Sequence, residues 1–94
     1  MPLVFEWDEG KALRNVHKHG VSFAAARTIF NDPWSITIVD AEHSHQEQRW
    51  LELVLAASGR LLVVWYTECE NTIRIIGARV ATPREARTYS DEHT

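Results

Sequence analysis

The chain has a single cysteine, Cys69, which excludes an internal disulfide and any zinc site built on several thiolates. Glycine is scarce as well: four scattered residues make no glycine-rich loop of the kind that cradles a nucleotide phosphate. Long apolar runs are missing. The longest, Leu61–Tyr66, falls far short of the roughly 20 residues that cross a bilayer, and no basic stretch followed by an apolar one opens the chain as a secretory leader would. A cytoplasmic location without membrane contact is expected. No serine stands in a G-x-S-x-G context and Cys69 has no partner motif, so nucleophilic hydrolysis is poorly supported. A basic surplus is also lacking. The net charge is −3, whereas nucleic-acid binders usually carry an excess of Lys and Arg.

What is present is enough for one folded unit. Ninety-four residues, 45% of them apolar and four of them tryptophan, describe a single small domain (1–94) and exclude disorder. Such a domain buries only a modest core, which leaves scope for stabilisation by a partner or a second copy. The charges are unevenly spread. Between Asn31 and Ser58 stand Asp32, Asp40, Glu42, Glu47 and Glu52 against Arg49 alone; between Asn71 and Ser90 stand Arg74, Arg79, Arg84 and Arg87 against Glu85 alone. Either the two segments neutralise each other across the fold, which is the simpler reading of the composition, or the second forms an anion-binding face.

The pattern of elements is legible from period and punctuation. VFEW (4–7) is a short extended stretch, and Asp8 is placed to cap a helix over about 9–18 in which Ala12, Leu13 and Val16 form the apolar stripe and Lys11, Arg14 and Lys18 the opposite one. Gly20 suits the left-handed turn that ends it. Ser22 caps a second helix whose Phe23, Ala26 and Phe30 share a face, ended at Pro33. The period then changes to two: strands are expected over 35–39, 49–56, about 60–68 and 72–80, the third apolar on both faces and therefore central. Pro83 suits the first turn of a final helix. The order β-α-α-β-β-β-β-α predicts an α+β two-layer domain, helices packed on an antiparallel sheet.

Four of the five histidines sit in two His-x-His pairs, His17/His19 and His43/His45. On a helix His17 and His19 point about 200° apart, and no H-x-x-x-H or Cys cluster completes a metal shell, so metal binding is not favoured. The arginines offer more. A guanidinium is a planar fork of donors that matches phosphate oxygens and stays charged. Several of them on a concave sheet, Arg49, Arg74 and Arg79 with Arg84 and Arg87 nearby, suit an RNA backbone and the transition state of phosphodiester cleavage. Such cleavage needs only a base for the ribose 2′-OH and an acid for the leaving oxygen, roles open to Lys18, His19, Glu47 and Tyr89. Parity is the obstacle: Arg74 and Arg79, five apart, face opposite sides of an unbroken strand unless Gly77 carries a bulge. On spacing alone, arginines that simply neutralise the acidic segment explain the pattern as well.

The ordered motifs of the chain carry a resemblance. FEWDEGKALRNVHKHGVSFAAARTIFNDP (5–33), then EQRW (47–50), GRLLVV (59–64), IRIIGAR (73–79) and REARTY (84–89), resemble the BrnT family, the toxin half of a bacterial type II toxin–antitoxin pair. The resemblance implies a fold similar to RelE-type ribonucleases and a metal-independent endoribonuclease, with no cofactor, that inhibits translation by cleaving RNA. It implies neutralisation by a cognate BrnA-type antitoxin, contact with operator DNA only through that antitoxin, and a dimer or toxin–antitoxin heterotetramer. Carried over by motif, the catalytic set is Lys18, His19, Glu47, Arg49, Arg74 and Arg79, and more loosely Arg84 and Tyr89; the basic residues Lys11 and Arg87 join these last two as RNA-binding candidates. Three positions depart from the pattern: Val80 follows Arg79 where another arginine is usual, Val54 replaces a common glycine, and Glu85-Ala86-Arg87 has one arginine fewer. The loss of positive charge keeps open a second function, a catalytically weak toxin-like binding module that associates with the antitoxin for operon autoregulation.

Overall fold

A computed structural model describes residues 3–43 and 48–92, without the side chains of Ile29, Phe30 and His43. Five strands and three helices follow one another in the expected order: β1 (Val4–Glu6), α1 (Glu9–His19), α2 (Phe23–Ala26), β2 (Ile36–Val39), β3 (Arg49–Leu55), β4 (Leu61–Cys69), β5 (Thr72–Val80) and α3 (Pro83–Asp91). A tight 3-10 turn over Arg27–Asn31 prolongs α2, and a second covers Ala41–His43.

The strands form one sheet in the order β1-β5-β4-β3-β2. The apolar β4 is its centre, as a run greasy on both faces requires. β2 to β5 pair antiparallel, but β1 runs parallel to β5, so the sheet is mixed and not purely antiparallel. Hydrophobic period tells which side chains share a face and says nothing of strand direction. β1 enters the sheet from the start of the chain, at the far edge from β2, and that edge was not encoded in its three residues.

The capping residues act as the sequence suggests. Asp8 accepts the Lys11 backbone N–H at 2.8 Å and Ser22 accepts that of Ala25 at 3.0 Å. Gly20 ends α1 at φ 69°, a left-handed conformation that a side chain would strain. Pro83 opens α3 as expected, and a cap not anticipated from the sequence joins it: Thr82 and Glu85 close a reciprocal capping box.

Packing of α1 follows the predicted stripe only at Ala12, which lies against the core. Leu13 is 73% and Val16 47% exposed, while the buried residue of the helix is Asn15. β1 covers only Thr72–Arg74 of β5, which leaves the rest of that strand's edge in need of partners. Asn15 supplies them: its Nδ2 donates to the carbonyls of Ala78 and Val21 at 2.8 Å each, and its Oδ1 accepts the Ala78 N–H at 3.2 Å. A primary amide matches a peptide group in donor and acceptor, so one side chain pairs the strand edge and fastens the α1–α2 junction.

The core lies between α2 and one sheet face, where Val21, Phe23 and Ala26 meet Val54, Leu62, Val64, Ile73, Ile75 and Ala78. Glu52 is on this face and only 2% exposed. Its carboxylate accepts from Ser35 Oγ at 2.7 Å, Thr37 Oγ1 at 2.9 Å and Tyr66 OH at 2.9 Å, so hydroxyl groups replace the water it has lost. Burial and the adjacent carboxylate push the Tyr66 hydroxyl well above the usual phenol range, keeping it a donor. α3 comes to the opposite face, where Glu85 and Thr88 share a hollow with Leu51, Leu53 and Val63. Helices thus lie on both sides of the sheet, not in a single second layer.

Candidate functional site

The face that carries α3 at one end is open at the other, and the register sets its side chains in rows. Arg49, Thr67 and Arg74 form one row across β3, β4 and β5; Leu51, Trp65 and Gly77 the next; Leu53, Val63 and Arg79 the third. Arg74 and Arg79 share this face because the ladder is irregular between Trp65 and Tyr66. Ile75 faces Tyr66 and Gly77 faces Trp65, so Ile76 is an extra residue with no partner of its own. A bulge of this kind reverses the parity of everything beyond it. The five-residue spacing therefore becomes a same-face arrangement.

Gly77 has a second part in this geometry. A Cβ at that position would run into Cζ2, Cε2 and Nε1 of Trp65, so the indole lies against bare backbone. Its ring also meets the His19 imidazole edge-on, with centroids 6.4 Å apart. Trp65 separates two hollows and lines both. One, of about 400 Å³, is lined by Arg49 and Arg79 together with Asp40 and Glu42. The other, of about 280 Å³, lies along α1 and holds Lys11, Arg14, Lys18 and His19.

Each expected site residue can now be placed. Lys11, Lys18 and His19 line the hollow along α1, and Arg49 and Arg79 the hollow across the sheet. His17 is exposed on α1 and lines neither. Arg74 sits at the β1 side, where its Nη1 donates to Glu6 at 3.2 Å. Arg84 and Arg87 are exposed on α3 and line no described hollow of this face. Tyr89 turns away from it: the hydroxyl donates to Asp32 Oδ2 at 2.8 Å, and burial with this carboxylate raises its pKa to about 12. Asp32 also accepts the Trp34 and Leu55 N–H groups, both at 2.9 Å, so the pair ties α3 to the start of β2 and the end of β3. Glu47 and His45 lie outside the described residues. Among the described residues no group of three His, Cys, Asp or Glu side chains is placed to hold a metal ion.

The ion pairs of Arg74 and Arg79 are made with residues outside the acidic middle segment. Arg79 meets Glu85 of α3, Nη1 to Oε1 at 2.8 Å and Nη2 to Oε2 at 2.9 Å. The bidentate bond lowers the Glu85 carboxyl to about 2 and raises the Arg79 guanidinium further above its ordinary value. Arg74 pairs with Glu6 of β1. Reading the sequence alone misses three residues of the site. Trp65 looks like part of a core strand, and only its position opposite Gly77 marks it; Asp40 and Glu42 look like loop acids.

Comparisons with known proteins agree with this architecture. A family model described as "Ribonuclease toxin, BrnT, of type II toxin-antitoxin system" matches residues 7–85. Among solved structures, the chain is similar to the Brucella abortus ribonuclease toxin BrnT, with a TM-score of 0.61 and 20% identity over 87% of this chain and 97% of that one. At that identity the likeness speaks for the fold. No curated protein matches the sequence. The family match spans most of the chain, including both sides of the open face: this protein belongs to the BrnT family of ribonuclease toxins of type II toxin–antitoxin systems.

Proposed function

We propose that this chain is an active endoribonuclease toxin that cleaves RNA without a metal ion, thereby inhibits translation, and is neutralised by a BrnA-type antitoxin in a dimeric or heterotetrameric complex. The observation that carries the reading is the bulge at Ile76. It sets Arg74 and Arg79 on the face that bears Arg49, beside the end of α1 that bears Lys18 and His19. Helices against a largely antiparallel sheet, with the reactive groups on its open face, give a RelE-like layout for such chemistry.

In this mechanism Arg49 and Arg79 hold the scissile phosphate in the sheet hollow. Their charge is matched to the extra negative charge that develops on the phosphorane oxygens as the ribose 2′-oxygen attacks phosphorus. His19, beside the sheet hollow at the end of α1, carries a ring nitrogen suited to move a proton at the 2′-OH or at the departing 5′-oxygen. Lys18 and Lys11 line the hollow along α1 and take the neighbouring phosphates. Glu47 is the carboxylate assigned to the second proton transfer, and Asp40 and Glu42 line the same sheet hollow.

The test is induced expression with and without the antitoxin. Arrest of growth that the antitoxin lifts, and that Arg79→Ala or Arg74→Ala relieves, supports the reading, as does cleavage of RNA by purified protein in excess chelator. Harmless expression together with intact RNA overturns it.

A second reading is favoured by the two ion pairs. With Arg79 on Glu85 and Arg74 on Glu6, part of the positive charge is already satisfied, as suits a toxin-like binding module that associates with the antitoxin for autoregulation. In that case loss of either arginine weakens antitoxin binding and leaves RNA levels unchanged.

A further inference from the structure

Trp65 is a large apolar side chain in an odd position. It lies on the open sheet face, in the row between the one that holds Arg49 and the one that holds Arg79, and it is only partly buried although β4 is the central strand. The core cluster is on the other face and does not include it. Its place is nonetheless fixed. Position 77, directly opposite, has no side chain, and the indole rests on that backbone; the His19 ring abuts it at 82° between planes, and the indole stays partly exposed. It is also the one described aromatic residue that lines both the hollow with Arg49 and Arg79 and the hollow with Lys18 and His19.

A rigid indole between two cationic hollows matches the chemistry of a single nucleic-acid strand. Phosphates repeat along the backbone and each needs a cation; between them the bases offer flat faces that stack on aromatic rings regardless of sequence. Paired RNA hides those faces, so such an arrangement selects an unpaired segment. We propose that Trp65 is a nucleobase-stacking platform: one base of single-stranded RNA lies on its indole, with the flanking phosphates in the Arg49–Arg79 hollow and the Lys18–His19 hollow. This rests on the ribonuclease reading and adds to it the form of RNA taken and the group that sets its register. The indole touches His19, so a base stacked on it holds its nucleotide next to the imidazole. Trp65 is therefore a positioning residue, and its loss acts through binding.

The experiment uses the full chain and a mixed-sequence, fully 2′-O-methylated ten-nucleotide strand, which cannot be cleaved through its 2′-oxygens. A second probe has the same backbone with abasic sites throughout. Binding is followed by fluorescence anisotropy, folding by circular dichroism, and cleavage separately on an unmodified RNA of the same sequence. Trp65→Leu is expected to weaken binding of the first probe by about 5- to 150-fold, the range of one base–aromatic stack, and Trp65→Phe to retain most of the affinity. The abasic probe should bind the original chain and Trp65→Leu equally, because only the stack distinguishes them. Unchanged affinity in a folded Trp65→Leu protein, or equal affinity of the original chain for both probes, overturns the platform. Should Trp65→Leu fail to fold, Trp65→Phe and the two-probe comparison decide alone. Cleavage with no dependence on Trp65 sinks the platform and leaves the ribonuclease; Trp65-dependent binding without cleavage does the reverse. Neither binding nor cleavage by the original chain sinks both.

Discussion

Arg79 and Glu85 meet fork to fork, the two terminal guanidinium nitrogens on the two carboxylate oxygens, one residue at the end of β5 and the other in the first turn of α3. The same carboxylate accepts the Thr82 N–H at 2.8 Å and completes the helix cap. It therefore holds the site's arginine and starts the helix that covers the sheet. Glu85→Ala should remove both effects, a loss of about 1–2 kcal/mol: about 1 for the cap and under 1 for an ion pair this open to solvent. Urea unfolding measures it. RNA cleavage should fall, but less than in Arg79→Ala, because the freed guanidinium stays beside the hollow.

The same bond fixes a pH dependence. Glu85 sits at about 2 in the folded chain against an ordinary 4.5, so its folded value is depressed. Its stabilisation is complete above about pH 4.5 and fades as pH falls toward 2. The stability gap between the original chain and Glu85→Gln should be constant from pH 7 to 5 and shrink below. Urea midpoints at pH 7, 4 and 3 check this, and a gap that widens in acid contradicts the pairing.

Gly77→Ala tests how tightly the indole is seated. The added methyl meets the Trp65 ring, and the backbone beneath it is held in the ladder. Either the ring is expelled or β5 shifts, at about 1–3 kcal/mol. A lower melting temperature with altered tryptophan emission is expected, and RNA binding should fall with it. An unaltered melting curve shows that the ring moves aside freely.

Much of this arrangement is readable in the sequence, and its limits are physical. Turn and cap residues such as Asp8, Gly20, Ser22 and Pro83 act through their own backbone, so they announce element ends locally. The shared face of Arg74 and Arg79 could be posed as a condition on a bulge near Gly77, and the bulge at Ile76 meets it. What was illegible depends on distant partners. The parallel seat of β1, the turn of Tyr89 toward Asp32, and Asn15 in place of Leu13 as the inward residue of α1 all arise from contacts 57 to 68 positions apart. Periodicity has no access to those.

Asn15 carries three buried hydrogen bonds at once. Asn15→Ala leaves the Ala78 N–H and two carbonyls without their partner at the edge of β5, and each buried orphan costs about 1–3 kcal/mol before water enters. A net loss of about 3 kcal/mol is expected, large for a helix position whose neighbours are exposed. Asn15→Leu should be no better despite its greater apolar area. Thermal unfolding of both variants checks this; if leucine restores stability, the amide is not pairing the strand.

Tyr89→Phe separates a structural tyrosine from a catalytic one. Its hydroxyl is held by Asp32, with a pKa near 12, and so stays a protonated donor throughout the range in which RNA is handled. Removing it takes one of the bonds to Asp32, while the Trp34 and Leu55 N–H groups still satisfy that carboxylate. The cost should be about 1 kcal/mol, seen as an earlier urea midpoint from a loosened α3. Affinity for the uncleavable RNA strand and the rate of cleavage should stay within about twofold at temperatures where the variant is folded, a margin well under the tenfold that 1.4 kcal/mol would give. A variant that melts normally yet no longer cleaves would return Tyr89 to the reaction, and α3 would then have to swing its hydroxyl away from Asp32 toward the sheet hollow.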